Sequence, residues 1–129
     1  MMRNSTATVK PFLTVNNCQQ AVEFYIAAFE AIETKRFEMP DKKLSSVVEI
    51  EDAEFYVGDE ELQNGNLSPY LNLNSPVRII LNSRNADKLF EKALKLGAIE
   101  ICPITNEHDW RIDKLQDPFG HIWEIWYIL

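Results

Sequence analysis

The chain has 129 residues, 46% hydrophobic and 26% charged, the size and balance of one globular domain. Its formal net charge of −7 excludes a phosphate-neutralising stripe for nucleic acid and a basic face for an anionic membrane. No apolar run approaches the roughly 20 residues that span a bilayer, the first residues lack the apolar stretch of a secretory signal, and two cysteines without a CxxC read as free thiols in a reducing cytoplasm.

Residues 1–7 are small and polar and read as a loose tail. Val9 to Val15 alternates as a strand, with Pro11 near its start. Asn17 is placed to cap a helix, with Gln20 three residues on, and Cys18, Ala21, Val22, Tyr25, Ala28 and Phe29 recur at helical spacing to an end near Glu30. Three short strands follow: Ile32 to Phe37, Leu44 to Ile50 after a turn at Met39–Lys42, and Ala53 to Val57 after a tight turn at Glu51-Asp52. Residues 58–75 are polar and irregular, a linker or a mobile loop.

The pattern then repeats. Val77, Ile79 and Leu81 alternate as a strand, Ser83 or Asn85 can cap a helix, and Ala86, Leu89, Phe90, Ala93 and Leu96 form its stripe before Gly97 stops it. Ala98 to Cys102, ended by Pro103, then Trp110 to Leu115 and His121 to Ile128 are the last strands; Asp117-Pro118-Phe119-Gly120 suits a type I turn. The pairs Cys18/Ala86, Ala21/Leu89, Val22/Phe90, Tyr25/Ala93 and Phe29/Gly97 each lie 68 residues apart, so the chain reads as two βαβββ modules. The expected organisation is one domain over 8–128, with module one at about 8–58, a linker at about 59–75 and module two at about 76–128.

The run Ala21-Val22-Glu23-Phe24-Tyr25 with Ala28-Phe29, and the closing Gln116-Asp117-Pro118-Phe119-Gly120-His121-Ile122-Trp123-Glu124-Ile125, resemble the two module signatures of the vicinal-oxygen-chelate superfamily, which includes glyoxalase and bleomycin-resistance proteins. The form of the second run particularly resembles the PhnB-like branch. The resemblance implies an α+β fold whose modules form a cupped mixed sheet around a pocket, often as a homodimer. It also implies one of two functions. Members with chemistry hold a divalent metal on inward strand residues and polarise two substrate oxygens in isomerisation, epoxide opening, ring cleavage or epimerisation. Other members bind and sequester a drug.

Carried onto this chain, the four ligand slots fall on Glu124, on Lys10 (or Pro11), near Ser45 and near Pro76, and only Glu124 can ligate. Of the two histidines, His108 lies in a loop and His121 has the opposite parity to Glu124. The expectation is therefore a pocket with neither metal nor cofactor. Glu124, in a strand apolar on both faces, is the candidate base or ligand anchor; its plainer role is a structural carboxylate paired with a basic side chain. Lys10 and Arg78 share its expected face, and a Lys10–Glu124 pair is expected to take the lost metal's place. Trp110, Trp123 and Trp126, with Phe12 and Tyr56, are candidates for an aromatic ligand wall, or else for core or dimer interface. Arg111 can meet an anionic ligand, or form a surface ion pair.

The function expected first is a cytoplasmic, homodimeric, metal-independent binder of a small, aromatic ligand. The competing expectations are a lyase-, isomerase- or dioxygenase-like enzyme acting on a small oxygenated metabolite through Glu124, and a dimerising scaffold without ligand.

Overall fold

The computed structural model describes residues 6–69 and 75–129. The expected tail over 1–7 and the linker at 59–75 lie partly outside the described residues. The first βαβββ unit runs β1 (Phe12–Val15), α1 (Cys18–Phe29), β2 (Ile32–Glu38), β3 (Leu44–Ile50) and β4 (Ala53–Asp59). The second runs β5 (Arg78–Asn82), α2 (Ala86–Lys95), β6 (Ile99–Glu107), β7 (Trp110–Gln116) and β8 (Ile122–Ile128). Each unit makes its own four-stranded sheet, in the order β1-β4-β3-β2 and β5-β8-β7-β6. The helical crossover makes β1 parallel to β4 and β5 parallel to β8, and hairpin connections make the rest antiparallel. This is the expected α+β architecture, duplicated. Among the described residues no helix is long and apolar enough to cross a membrane.

Local chemistry sets the element ends. Asn17 is extended, and its side-chain oxygen accepts the Gln20 N–H at 3.0 Å, so α1 starts where the capping pattern places it. For α2 the cap position is Asn85, but its side chain makes no capping bond; Ser83 Oγ instead accepts the Asn85 N–H at 3.1 Å. Two strands depart from expectation. β1 begins at Phe12 and not Val9, because Pro11 has no N–H to donate and contributes only its carbonyl, to the Tyr56 N–H. β6 passes through Pro103 instead of ending there. It is an edge strand with register shifts on either side of Cys102, where a missing donor is tolerated. Among the described residues, the linker holds a 3-10 turn, Leu62–Asn64, under a bridge between Glu61 and Asn66.

Both sheets turn one face to a shared core. Leu13, Val15, Val48, Ile50, Phe55 and Val57 come from the first sheet, and Leu81, Leu115, Trp123 and Ile125 from the second. The buried stripes of α1 and α2 complete it, and the helices also pack on one another. Trp123 joins the halves, its ring 4.9 Å from Phe29, 5.6 Å from Tyr25 and 5.4 Å from Phe55, centroid to centroid.

Next to Trp123 lies a buried carboxylate. Asp117 is 0% exposed. Its Oδ2 accepts the Tyr25 hydroxyl at 2.5 Å and the Trp123 indole N–H at 2.9 Å, and its Oδ1 accepts the backbone N–H groups of Phe119 and His121. Burial, and then the charge of Asp117, push the Tyr25 phenol well above its ordinary value, so Tyr25 stays a donor. The turn closes with Gly120 N–H donating to the Asp117 carbonyl, and Gly120 has φ 96° with Pro69 packed where a Cβ would stand. One ring nitrogen of His121 (Nε2) lies 2.8 Å from the Thr14 carbonyl, holding β1 to the same turn. Asp117→Ala should cost about 3–5 kcal/mol or prevent folding, because it strands the buried Tyr25 and Trp123 donors, while Tyr25→Phe should cost about 1–2 kcal/mol. Urea denaturation checks both; a loss below about 1 kcal/mol for Asp117→Ala would remove the carboxylate from this structural role.

Candidate functional site

The second sheet has an open face pointing away from the shared core. Along β8, Trp123 and Ile125 face the core, so strand alternation sends Ile122, Glu124 and Trp126 to the open face. Glu124 lies beside Ile80 in the parallel β5–β8 register. It is 4% exposed, and its Oε2 has no hydrogen-bond donor in geometry. Two cations stand near that oxygen: Arg78 Nη1 from β5 at 3.3 Å and Lys114 Nζ from β7 at 3.8 Å. Above them is a cavity of about 260 Å³, lined by Ser75, Arg78, Ile101, Lys114 and Ile122.

Under this site the β7–β8 ladder opens between the Arg111–Tyr127 and Leu115–Trp123 pairs. There Asp113 Oδ1 accepts the Ile125 N–H at 2.7 Å. Burial pushes the Asp113 carboxyl up to about 7; the Ile125 N–H opposes this, and the charges of Glu124 and Asp87 add to it.

A larger cavity, about 660 Å³, lies at the end of the same sheet, walled by Trp110, Tyr127 and Ile128 and edged by Glu51, Asn82 and Arg84. Trp110 and Trp126 meet edge to face, with centroids 5.5 Å apart, and the Trp126 indole N–H is buried without a partner. Size favours this cavity. Chemistry favours the smaller one, where a buried carboxylate oxygen and two cations converge.

The sequence-predicted residues divide into three groups. Glu124, Arg78, Trp110 and Trp126 share the open face of the second sheet. Phe12 and Tyr56 lie on the open face of the first, ring centroids 6.0 Å apart, with Phe12 folded over Gly58. Lys10 is bonded to Glu54 there, so the expected Lys10–Glu124 pair does not form; Arg78 and Lys114 take that place. Parity was the wrong guide, because Lys10 precedes β1 and belongs to the other sheet. Arg111 is tied by its guanidinium to Asp87 of α2 and to Asn106. That is the ion-pair alternative. Cys18 is buried and its thiol is pushed up to about 12, mainly by burial, which makes it inert packing.

Sequence reasoning missed Lys114 and Asp113. Lys114 had a readable signal: counting back from the Asp117–Gly120 turn sets it beside Glu124. Asp113 had none, since its acceptor role depends on the gap in the ladder.

Glu124 is the sole ligating residue among the four slots the resemblance assigns. Among the described residues, no group of three His, Cys, Asp or Glu is placed to hold a metal. A carboxylate oxygen already flanked by a guanidinium and an ammonium is a poor ligand for a divalent cation. The donor set does not fit one.

No protein-family model matches the chain. An uncharacterized protein of Mycobacterium bovis is 30% identical over 131 residues, covering 97% of this chain and 86% of that protein. Among solved structures, TioX from Micromonospora sp. ML1 is similar at a TM-score of 0.72 and 16% identity, covering 96% of this chain and 100% of that one. A PhnB protein from Bacillus cereus is similar at 0.69 and 12%, covering 94% and 99%. The fosfomycin resistance protein FosX from Listeria monocytogenes, as a glutamate-to-glutamine mutant complexed with Mn(II) and 1S,2S-dihydroxypropylphosphonic acid, is similar at 0.67 and 15%, covering 96% and 90%. At these identities the solved structures show a shared fold.

The pH dependence of stability should single out Asp113. Its folded-state value of about 7 lies above the ordinary 3.8, so the stability it contributes is full below about pH 4 and is lost as pH rises to about 7. Asp113→Asn keeps an acceptor for the Ile125 N–H and removes the titration. The stability of wild type relative to this variant should fall from about pH 4 to 7 and level off above. A difference that stays constant with pH in urea melts would contradict it.

Proposed function

We propose that the chain is a member of the vicinal-oxygen-chelate superfamily, and that it is a metal-independent small-molecule-binding protein whose ligand sits against Glu124, Arg78 and Lys114. The carrying observation is the buried Glu124 Oε2, which lacks a donor while two cations stand beside it. A buried acceptor left without a donor is costly, and a ligand that supplies one recovers that cost. Trp110 and Trp126 on the same face offer contact area to an aromatic ligand.

The superfamily includes proteins that hold a metal, and the FosX relative is described with Mn(II). In this chain the neighbours of Glu124 are cationic where a metal would need further anionic or imidazole donors. An enzyme using Glu124 as base has less support, because the oxygen that would take the proton already faces both cations. A ligand-free scaffold has less support too, because it leaves that oxygen unsatisfied.

The partner we propose is a second copy. The first sheet exposes Phe12 on one edge strand and Ile32 and Phe37 on the other, and the second exposes Ile80, Ile99, Ile101 and Ile128. One chain carries both apolar faces, so a twofold pair lets each first sheet cover the other chain's second sheet and close the pocket. The free thiols Cys18 and Cys102 suit a reducing cytoplasm.

Screening small aromatic and antibiotic-like compounds by tryptophan emission and melting temperature tests the reading. Compounds of pocket size should bind, and Arg78→Ala should weaken the best of them by about tenfold or more. Hits indifferent to Arg78→Ala would place binding elsewhere. Sedimentation should give a dimer, and Ile80→Arg should give monomers that still fold; a monomeric wild type would contradict the proposed closure.

A further inference from the structure

Glu124 is a buried carboxylate faced by two cations; Glu30 also meets two lysines, but its side chain is 42% exposed. The whole molecule is acidic, with a formal net charge of −7. At this site, two cations face one carboxylate. Arg78 and Lys114 have no other carboxylate partner among the described residues. The remaining residues carry none to offer, since 1–5 read Met-Met-Arg-Asn-Ser and 70–74 read Tyr-Leu-Asn-Leu-Asn. The other acids nearby are committed or turned away. Asp113 lies on the core side, bonded to the Ile125 N–H, and Asp87 holds Arg111. Glu100 pairs with Leu115, a core-facing position, and Glu107 pairs with Trp110 at the far end of the sheet.

Both cations remain accessible. The Arg78 side chain is 54% exposed and that of Lys114 is 28% exposed, whereas Glu124 beneath them is 5% exposed. An entering molecule therefore meets positive charge first. It finds Ile101 and Ile122 in the walls, with Glu124 buried beneath the two cations. The volume of about 260 Å³ is under the roughly 300 Å³ at which drug-sized pockets begin, so the occupant is small.

We infer that the ligand is a small organic acid: its anionic group is held by Arg78 and Lys114, a hydroxyl or amine beside that group donates to Glu124, and its apolar end lies on Ile101 and Ile122. This rests on the pocket reading above and adds the ligand's charge and its donor. A guanidinium and an ammonium orient an oxyanion without a metal, and the carboxylate beside them selects for a neighbouring donor.

The test uses the full chain and two matched probe sets. The first is phenylacetate, mandelate, 2-phenylacetamide and 2-phenylethylamine; the second replaces the phenyl ring with isopropyl. Binding is read from backbone amide shifts in nuclear magnetic resonance titrations. The acids should move amides around Arg78, Ile101, Lys114 and Ile122, and the hydroxy acid should bind more tightly than its parent acid. The amide should bind about tenfold more weakly, and the amine should not bind there. Arg78→Gln with Lys114→Gln should abolish acid binding, and Arg78→Lys, which keeps the charge in a fold that can be checked by its spectrum, should retain most of it. If the amide or amine binds in the same place as well as the acid, the pocket stands and the charge inference is overturned. If no member of either set moves those amides, both the inference and the pocket reading are overturned.

Discussion

A fully buried carboxylate is tolerated only where protein donors replace its water, and Asp117 has four of them. Two come from its own turn, one from the Trp123 indole on β8 and one from the Tyr25 hydroxyl on α1. Satisfying that single charge therefore fixes the turn, the start of β8 and the approach of α1 together. Trp123, positioned by the same bond, fills the space between the two sheets against Phe29 and Phe55. Glu124 is the next residue. Its face and depth follow from Trp123 being held inward.

This explains what the run Asp117-Pro118-Phe119-Gly120-His121 with Trp123 is for. It is a structural junction. Much of the fold was legible because its signals are local: the Asn17 cap, the duplicated helix stripes and the Asp117–Gly120 turn each depend on residues a few positions apart. The hub itself was not legible, since Tyr25 and Asp117 lie 92 positions apart and only packing brings them together. The same limit applied at the site. Glu124 was found from the family resemblance together with its strand, but its partners depend on which sheet each basic residue joins. Lys10 entered the first sheet and met Glu54, leaving Arg78 and Lys114 for Glu124. Pro103 was misread because an edge strand tolerates a proline that a central strand would not.

The site follows from these placements. Both sheets give one face to the core, which leaves two outward faces with apolar side chains in a chain that is acidic overall. On one of them a buried carboxylate sits under two cations. On the proposed reading, that arrangement supplies positive charge and directionality from side chains alone, and Arg78 and Lys114 select a ligand by its charge.

The measurement that bears most directly on this account is elemental analysis of purified, tag-free protein, combined with melting curves in zinc, nickel, manganese and magnesium. The account predicts no stoichiometric metal and no change in melting temperature with any of the four. One equivalent of metal per chain, or a rise of several degrees with one ion, would contradict it and return Glu124 to the role of a metal ligand.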